Sequence, residues 1–280
     1  MSDWGRTVQV RIGVGALDVR VAGPQDGPAV VLLHGFPQTS RSWGAVVPAL
    51  AEAGYRVVAP DQRGYSPDAR PVGVEHYATD ALADDVAELA DALGIDTFHL
   101  VGHDWGASIA WVAATRHADR IRTLTTVSVP HLAAFGEALR NDPDQQERSA
   151  YIGLFRMEGK AEQVLLADDA ERLISMYEGR VPDDDVAAYV ALLREPGALT
   201  AALGYYRAMQ SDLSGLPAVT MPTTFVWSSG DRALGPRGAH RCGDFVDADY
   251  RFVELADISH WVPDEAPHAL AEAIVDRAGR

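Results

Sequence analysis

Val101-Gly102-His103-Asp104-Trp105-Gly106-Ala107 is the stretch on which the reading of this chain turns. An apolar run before it, Thr97 to Val101, reads as a buried strand, and a helical pattern from Ala107 to about His117 follows it. The glycines therefore flank a strand-to-helix turn with one reactive side chain at its tip, the shape of a nucleophile elbow, conventionally G-x-S-x-G. Asp104 stands at that tip in place of serine. A carboxylate is already ionised at neutral pH, needs no base to become nucleophilic, and attacks an electrophilic carbon to leave an alkyl ester on the protein. The structural alternative is a helix N-cap, a position that Asp also favours.

Working outward, Thr7 to Val14 and Ala16 to Ala22 alternate and read as an antiparallel hairpin hinged at Gly15. Ala29 to Leu33 is almost continuously apolar, the mark of a strand buried on both faces. After the cap candidates Thr39 and Ser40, residues Trp43, Val46, Val47 and Leu50 recur at helical spacing, and Gly54 stops them. Tyr55 to Ala59 is the next strand. Leu82, Val86, Leu89 and Leu93 form a second helical stripe ahead of the elbow strand, and Ile121 to Val129 is a sixth strand closed by Pro130. Such alternation implies an α/β fold: a mainly parallel sheet covered on both faces, with ligands beyond the carboxyl ends of its strands.

From 131 to 217 the alternation stops. Stripes at Val186, Val190 and Leu193, then at Leu199, Leu203 and Tyr206, predict an all-helical insertion that caps the sheet's active edge. Strands return at Thr223 to Trp227 and Tyr250 to Leu255, and a helix from about Asp264 to Arg277 closes the chain. The expected organisation is a core of residues 1–130 and 218–280 with eight strands, and a cap of residues 131–217 inserted after the sixth.

Composition narrows the partners. Of 280 residues, 47% are hydrophobic and 23% charged, which suits a globular enzyme with a closed site. The 24 basic and 40 acidic residues leave a net charge of -16, a poor match to phosphate backbones or anionic lipid, so no nucleic-acid or membrane partner is expected. Cys242 is the single cysteine, which excludes an internal disulfide and a thiolate metal cluster. Met1 to Gly13 lacks a signal-like apolar core, and no run reaches the roughly 18 apolar residues of a membrane span. A soluble, cytoplasmic protein is the expectation, and a homodimer is compatible with it.

Three more segments fall where an elbow enzyme needs them. Leu33-His34-Gly35-Phe36-Pro37 ends the third strand, from which one oxyanion-hole N–H would come, at Phe36; Trp105, after the nucleophile, would supply the other. The turn also suits a cis Pro37. Ser228-Ser229-Gly230-Asp231 places a carboxylate just past the seventh strand, and Ile258-Ser259-His260-Trp261 places an imidazole past the eighth. Asp104, Asp231, His260 is the nucleophile, acid, base order of the α/β-hydrolase fold, with a cap between the first two.

Through His34-Gly35-Phe36-Pro37, Asp61-Gln62-Arg63-Gly64-Tyr65-Ser66, Gly102-His103-Asp104-Trp105-Gly106 and the Asp231 and His260 segments, the chain resembles the epoxide hydrolases over nearly its whole length. The resemblance implies a small hydrophobic epoxide as substrate, water as co-substrate, no cofactor and no metal. It also implies two cap tyrosines that hold the epoxide oxygen. Tyr206, in Gly204-Tyr205-Tyr206-Arg207, matches the second. Tyr151, in Tyr151-Ile152-Gly153-Leu154-Phe155, is the first, although the glutamine that often follows is Ile152 here. Either could be the proton donor, and Tyr205 is the competing cavity residue on the same helix. His34, Pro37, Trp105, Tyr205 and Trp261 are the expected substrate contacts.

Haloalkane dehalogenases share the carboxylate elbow, but often hold the halide with an Asn where Phe36 stands. Fluoroacetate-type dehalogenases typically have Arg where Trp105 stands. A ligand-binding protein that has lost turnover is the alternative of another class, and the intact nucleophile, acid and base speak against it.

Overall fold

The computed structural model describes residues 4–209 and 215–279; residues 210–214 of the cap stretch lie outside them. Eight strands form one sheet: β1 (Arg6–Ile12), β2 (Gly15–Ala22), β3 (Ala29–Leu33), β4 (Arg56–Pro60), β5 (Phe98–His103), β6 (Ile121–Val127), β7 (Thr223–Ser228) and β8 (Tyr250–Leu255). Their order is β1-β2-β4-β3-β5-β6-β7-β8. The β1/β2 and β2/β4 pairs are antiparallel and every other pair is parallel. The Ala29–Leu33 run lies between β4 and β5 with all five residues buried, as continuous apolar character requires of a strand covered on both faces.

On the core, α1 (Val47–Glu52), α2 (Thr79–Ala92) and α3 (Trp105–Arg116) follow β3, β4 and β5. Among the described residues between β6 and β7 lie six helices: α4 (Leu132–Asn141), α5 (Pro143–Arg148), α6 (Tyr151–Phe155), α7 (Lys160–Ser175), α8 (Asp183–Leu193) and α9 (Ala198–Ala208). Every residue of the two predicted stripes is buried, because α8 and α9 turn those faces inward. After β7 come α10 (Pro236–Arg241), α11 (Val262–Glu265) and α12 (Pro267–Ala278). Among the described residues no single helix is long and apolar enough to cross a membrane.

Local boundaries differ from the sequence reading where proline or the elbow intervenes. The stripe from Trp43 to Leu50 is two pieces, a 3-10 turn at Ser40–Trp43 capped by Thr39, then α1, which restarts with Pro48 in its first turn. The closing helix is likewise split: Ala266 leaves helical geometry before Pro267, whose ring disfavours it there. The elbow strand runs on to His103 and α3 starts at Trp105, so the turn is one residue wide. Gly15 belongs to β2, and the hairpin turns at Gly13-Val14.

Candidate active site

At the tip of the elbow Asp104 adopts φ 53, ψ -119, outside the regions open to an L-residue without strain. Its side chain makes no capping bond to α3, so the N-cap alternative does not describe it. The glycines make the turn possible. A Cβ on Gly106 would overlap the Leu33 carbonyl, and one on Gly102 would overlap that of Gly106. Gly35 is needed for a different reason: a Cβ there would overlap the Asp104 side chain.

Three loops at the carboxyl edge of the sheet meet at that side chain. The Phe36 N–H donates to Asp104 Oδ1 at 2.8 Å, and the Phe36-Pro37 bond is cis. Trp105 occupies the first position of α3, where the N–H has no partner within the helix. His260 Nε2 lies 3.5 Å from Asp104 Oδ2 and its Nδ1 2.8 Å from Asp231 Oδ2. Asp231 Oδ1 accepts from the Ala233 and Leu234 amides at 2.7 and 3.0 Å, which orients the carboxylate toward the ring. Asp104 is 7% exposed, His260 6% and Asp231 1%, so the three act in a medium from which bulk water is largely excluded.

Charge follows from that geometry. Burial disfavours an imidazolium, but the Asp231 charge and the hydrogen bonds and charge of Asp104 outweigh it and push His260 up to about 10. Burial likewise works against an ionised Asp231, and the His260 charge, its hydrogen bond and the two amides hold that carboxyl below its usual range. The resting site is therefore a carboxylate–imidazolium–carboxylate row.

From the cap, Tyr151 and Tyr206 reach the same point. Burial first, then the Asp104 and Asp231 charges, raise the Tyr151 hydroxyl; burial, then Tyr151 and Asp104, raise Tyr206 well above the ordinary phenol value. Both phenols stay protonated at neutral pH. The Tyr206 ring meets those of Trp105 and Tyr151 edge-on, at 5.0 and 6.1 Å between centroids.

Asp104, Tyr151 and Tyr206 are the shared boundary of two lobes of unequal size. The wide lobe, about 270 Å³, runs between α7 and the His260 loop and includes Phe36, Phe155, Leu165 and Trp261 in its wall. The narrow lobe, about 40 Å³, runs between α3 and α4 and is walled by Trp105, Val129, Leu132, Phe135, Ile152 and Leu234. Ser108, a helical turn past the elbow, faces the narrow lobe.

Three of the expected substrate contacts lie elsewhere. Tyr205 turns away from both lobes: its hydroxyl donates to the Arg63 carbonyl at 2.7 Å and its ring packs on Tyr65, Tyr77 and Trp105. His34 is fully buried behind its loop, with Nδ1–H donating to the Gly35 carbonyl and Nε2 accepting from the Gln62 N–H. Pro37 is used through its backbone, as acceptor of the Tyr177 hydroxyl at 2.9 Å. These residues brace the site without lining it. Trp227 is core, its indole N–H committed to the Leu234 carbonyl.

Sequence reasoning passed over the supports of His260. The His103 Nε2–H donates to the His260 carbonyl at 2.9 Å, and Ser228 donates to the Ser259 carbonyl at 2.8 Å. Burial, then the His260 charge, lowers His103 to about 4, so it remains a neutral donor. A histidine next to the elbow's nucleophile was the available signal. Arg148, on α5, donates to the Asp231 carbonyl at 2.6 Å and had no local signal.

A carboxylate at an elbow, an acid–imidazole pair and an oxyanion amide on a mostly parallel eight-stranded sheet define a hydrolase of the α/β type. The chain belongs to the alpha/beta hydrolase fold family, matched over residues 28–267. Within it the similarity is to epoxide hydrolases. Epoxide hydrolase A of Mycobacterium tuberculosis is 32% identical, with 93% of each chain covered. Among solved structures, an epoxide hydrolase from hot-environment metagenomes is 31% identical with a TM-score of 0.87, covering 98% of both chains. The Bacillus megaterium epoxide hydrolase solved with an inhibitor has a TM-score of 0.88 at 26% identity, covering 98% of this chain and 100% of that one.

Proposed function

We propose that this protein hydrolyses small hydrophobic epoxides to vicinal diols through an ester on Asp104. The observation that carries this is the pair of protonated phenols, Tyr151 and Tyr206, on the same cavity boundary as the Asp104 carboxylate. Asp104 attacks a ring carbon as the carbon–oxygen bond opens, and the departing oxygen takes a proton from one tyrosine. The tyrosinate recovers its proton from imidazolium His260, which becomes a neutral base in the same exchange. His260 then deprotonates a water that attacks the ester carbonyl, and the Phe36 and Trp105 amides hold the oxyanion. Collapse releases the diol and restores carboxylate, imidazolium and phenol, so atoms and protons balance.

Dehalogenation fits the wall less well. Phe36 offers a halide no side-chain donor, and the Trp105 ring is packed edge-on against Tyr206. One turnover in oxygen-18 water tests the ester: label enters the Asp104 carboxylate, detectable by peptide mass. Label found in the diol from the first turnover onward, and never in the protein, rejects it.

The tyrosines separate by the same reasoning. Removal of either hydroxyl by Tyr151→Phe or Tyr206→Phe is expected to slow ester formation by roughly 10- to 100-fold, and removal of both by more than either alone, since general acid catalysis is worth about 10²–10⁴. Pre-steady-state quenching of the intrinsic tryptophan fluorescence, with Trp105 beside the reacting atoms, is the measurement. An unchanged rate in the double variant excludes phenolic activation.

A further inference from the structure

The wall of the wide lobe has a charge opposite in sign to the chain as a whole. Away from Asp104 and His260 its charged residues are Arg148, Arg172, Arg232 and Glu178, in a protein with 24 basic and 40 acidic residues. Two of these arginines are already committed. Arg232 pairs with Glu178 at 2.9 Å, and Arg148 bonds Asp144 at 2.7 Å and the Asp231 carbonyl. The Arg172 guanidinium has no hydrogen-bond or ion-pair partner among the described residues. It is solvent-exposed, the one guanidinium of that wall without a protein partner among the described residues.

The backbone that delivers Arg172 is itself unusual. α7 breaks at Ala167, and Asp168, Asp169 and Ala170, none of them glycine, have φ of 49, 56 and 66 before the helix resumes. Left-handed geometry costs a non-glycine residue on the order of 1–2 kcal/mol, and such strain concentrates at ligand clamps. On either side of the break, Leu165 and then Arg172, Ser175 and Met176 face the lobe. The kinked helix therefore sets an exposed cation without a protein partner on a wall that also carries Phe36, Phe155, Leu165 and Trp261.

We infer that the epoxide this site takes bears a carboxylate on its larger substituent, received by the exposed Arg172 on the wall of the wide lobe. The inference rests on the epoxide reading and adds a substrate class to it. The larger substituent has one place to go: a cavity of about 150 Å³ is what a benzene ring needs, and the narrow lobe is about 40 Å³ against about 270 Å³ for the wide one. Guanidinium presents a planar pair of donors that a carboxylate accepts in bidentate fashion and that an amide cannot match.

The test compares 4-(oxiran-2-ylmethoxy)benzoate with the corresponding benzamide, which has nearly the same shape and no charge. Wild-type protein is expected to prefer the benzoate by about two- to fivefold in kcat/KM, the worth of an exposed ion pair, carried mainly by KM, because the contact is made equally in ground and transition states. Arg172→Gln should collapse that ratio to near one while leaving the benzamide unchanged, and Arg172→Lys should restore part of it. A ratio near one in the wild type, or one that Arg172→Gln leaves intact, overturns the inference and leaves epoxide hydrolysis standing. Hydrolysis of neither compound, nor of styrene oxide, overturns both.

Discussion

The His260→Gln protein is expected to react once and stop. Ester formation needs the Asp104 carboxylate and a phenol, both still present, whereas ester hydrolysis needs a base 3.5 Å from Asp104, where His260 Nε2 now stands. Steady-state turnover should fall by on the order of 10⁴ or more. The covalent ester should accumulate, and intact mass should rise by the mass of one substrate molecule. Full loss of turnover without an adduct would mean that His260 acts before the ester, against the mechanism drawn above.

The pH dependence of the wild type has two parts. His260 is raised from 6.5 to about 10 in the folded protein, so its ion pairs contribute stability that is complete below about 6.5 and lost as pH rises through about 10. Asp231 is lowered, so its contribution is present above the ordinary carboxyl range and lost in acid as pH falls through its depressed value. Activity follows a different charge state. Esterification removes the Asp104 charge and with it one of the causes that raise His260, so the ester-hydrolysis step should gain its neutral base at a pH below 10. Single-turnover rates against pH read that limb directly, and Asp231→Asn should move it further toward acid.

The second large effect separates chemistry from folding at one position. Asp104→Ala and Asp104→Gly should both abolish turnover, by on the order of 10⁴ or more, because no other group at the elbow can form the ester. Their stabilities should differ. Alanine keeps a Cβ at φ 53, ψ -119 and so keeps the strain, whereas glycine releases it. Both variants lose the Phe36 contact and the His260 pair equally, so the comparison cancels those terms. Glycine is expected to be the more stable by roughly 1–3 kcal/mol, the usual cost of a residue held in a sparse region, read from denaturant midpoints. Equal stabilities would show that the elbow is unstrained and that Asp104 is held for chemistry alone.

What the amino-acid order determined by itself is whatever depends on neighbours along the chain. The elbow is legible because small residues at 102 and 106 around Asp104 are a local steric requirement, the Leu33-Gly35 and Gly230-Asp231 turns each follow a fully buried strand, and Ser259-His260 follows the half-exposed edge strand β8. Parallel strands then bring those loop tips to one edge without further instruction, which is why nucleophile, acid, base and the Phe36 amide were all readable. Periodicity states which face of a helix is buried, and no more than that. Tyr205 and Tyr206 are adjacent on α9 and both buried, and only the rotation of that helix against the core sends one to the Arg63 carbonyl and the other to the cavity. The hydrogen bonds of His34 and of the Pro37 carbonyl are decided in the same way, since a loop's sequence does not say which of its sides packs inward. The unequal lobes, the His103 support beneath His260 and the unpaired Arg172 arise from contacts between elements far apart in the chain. Packing between those elements decides them, and no single segment encodes it.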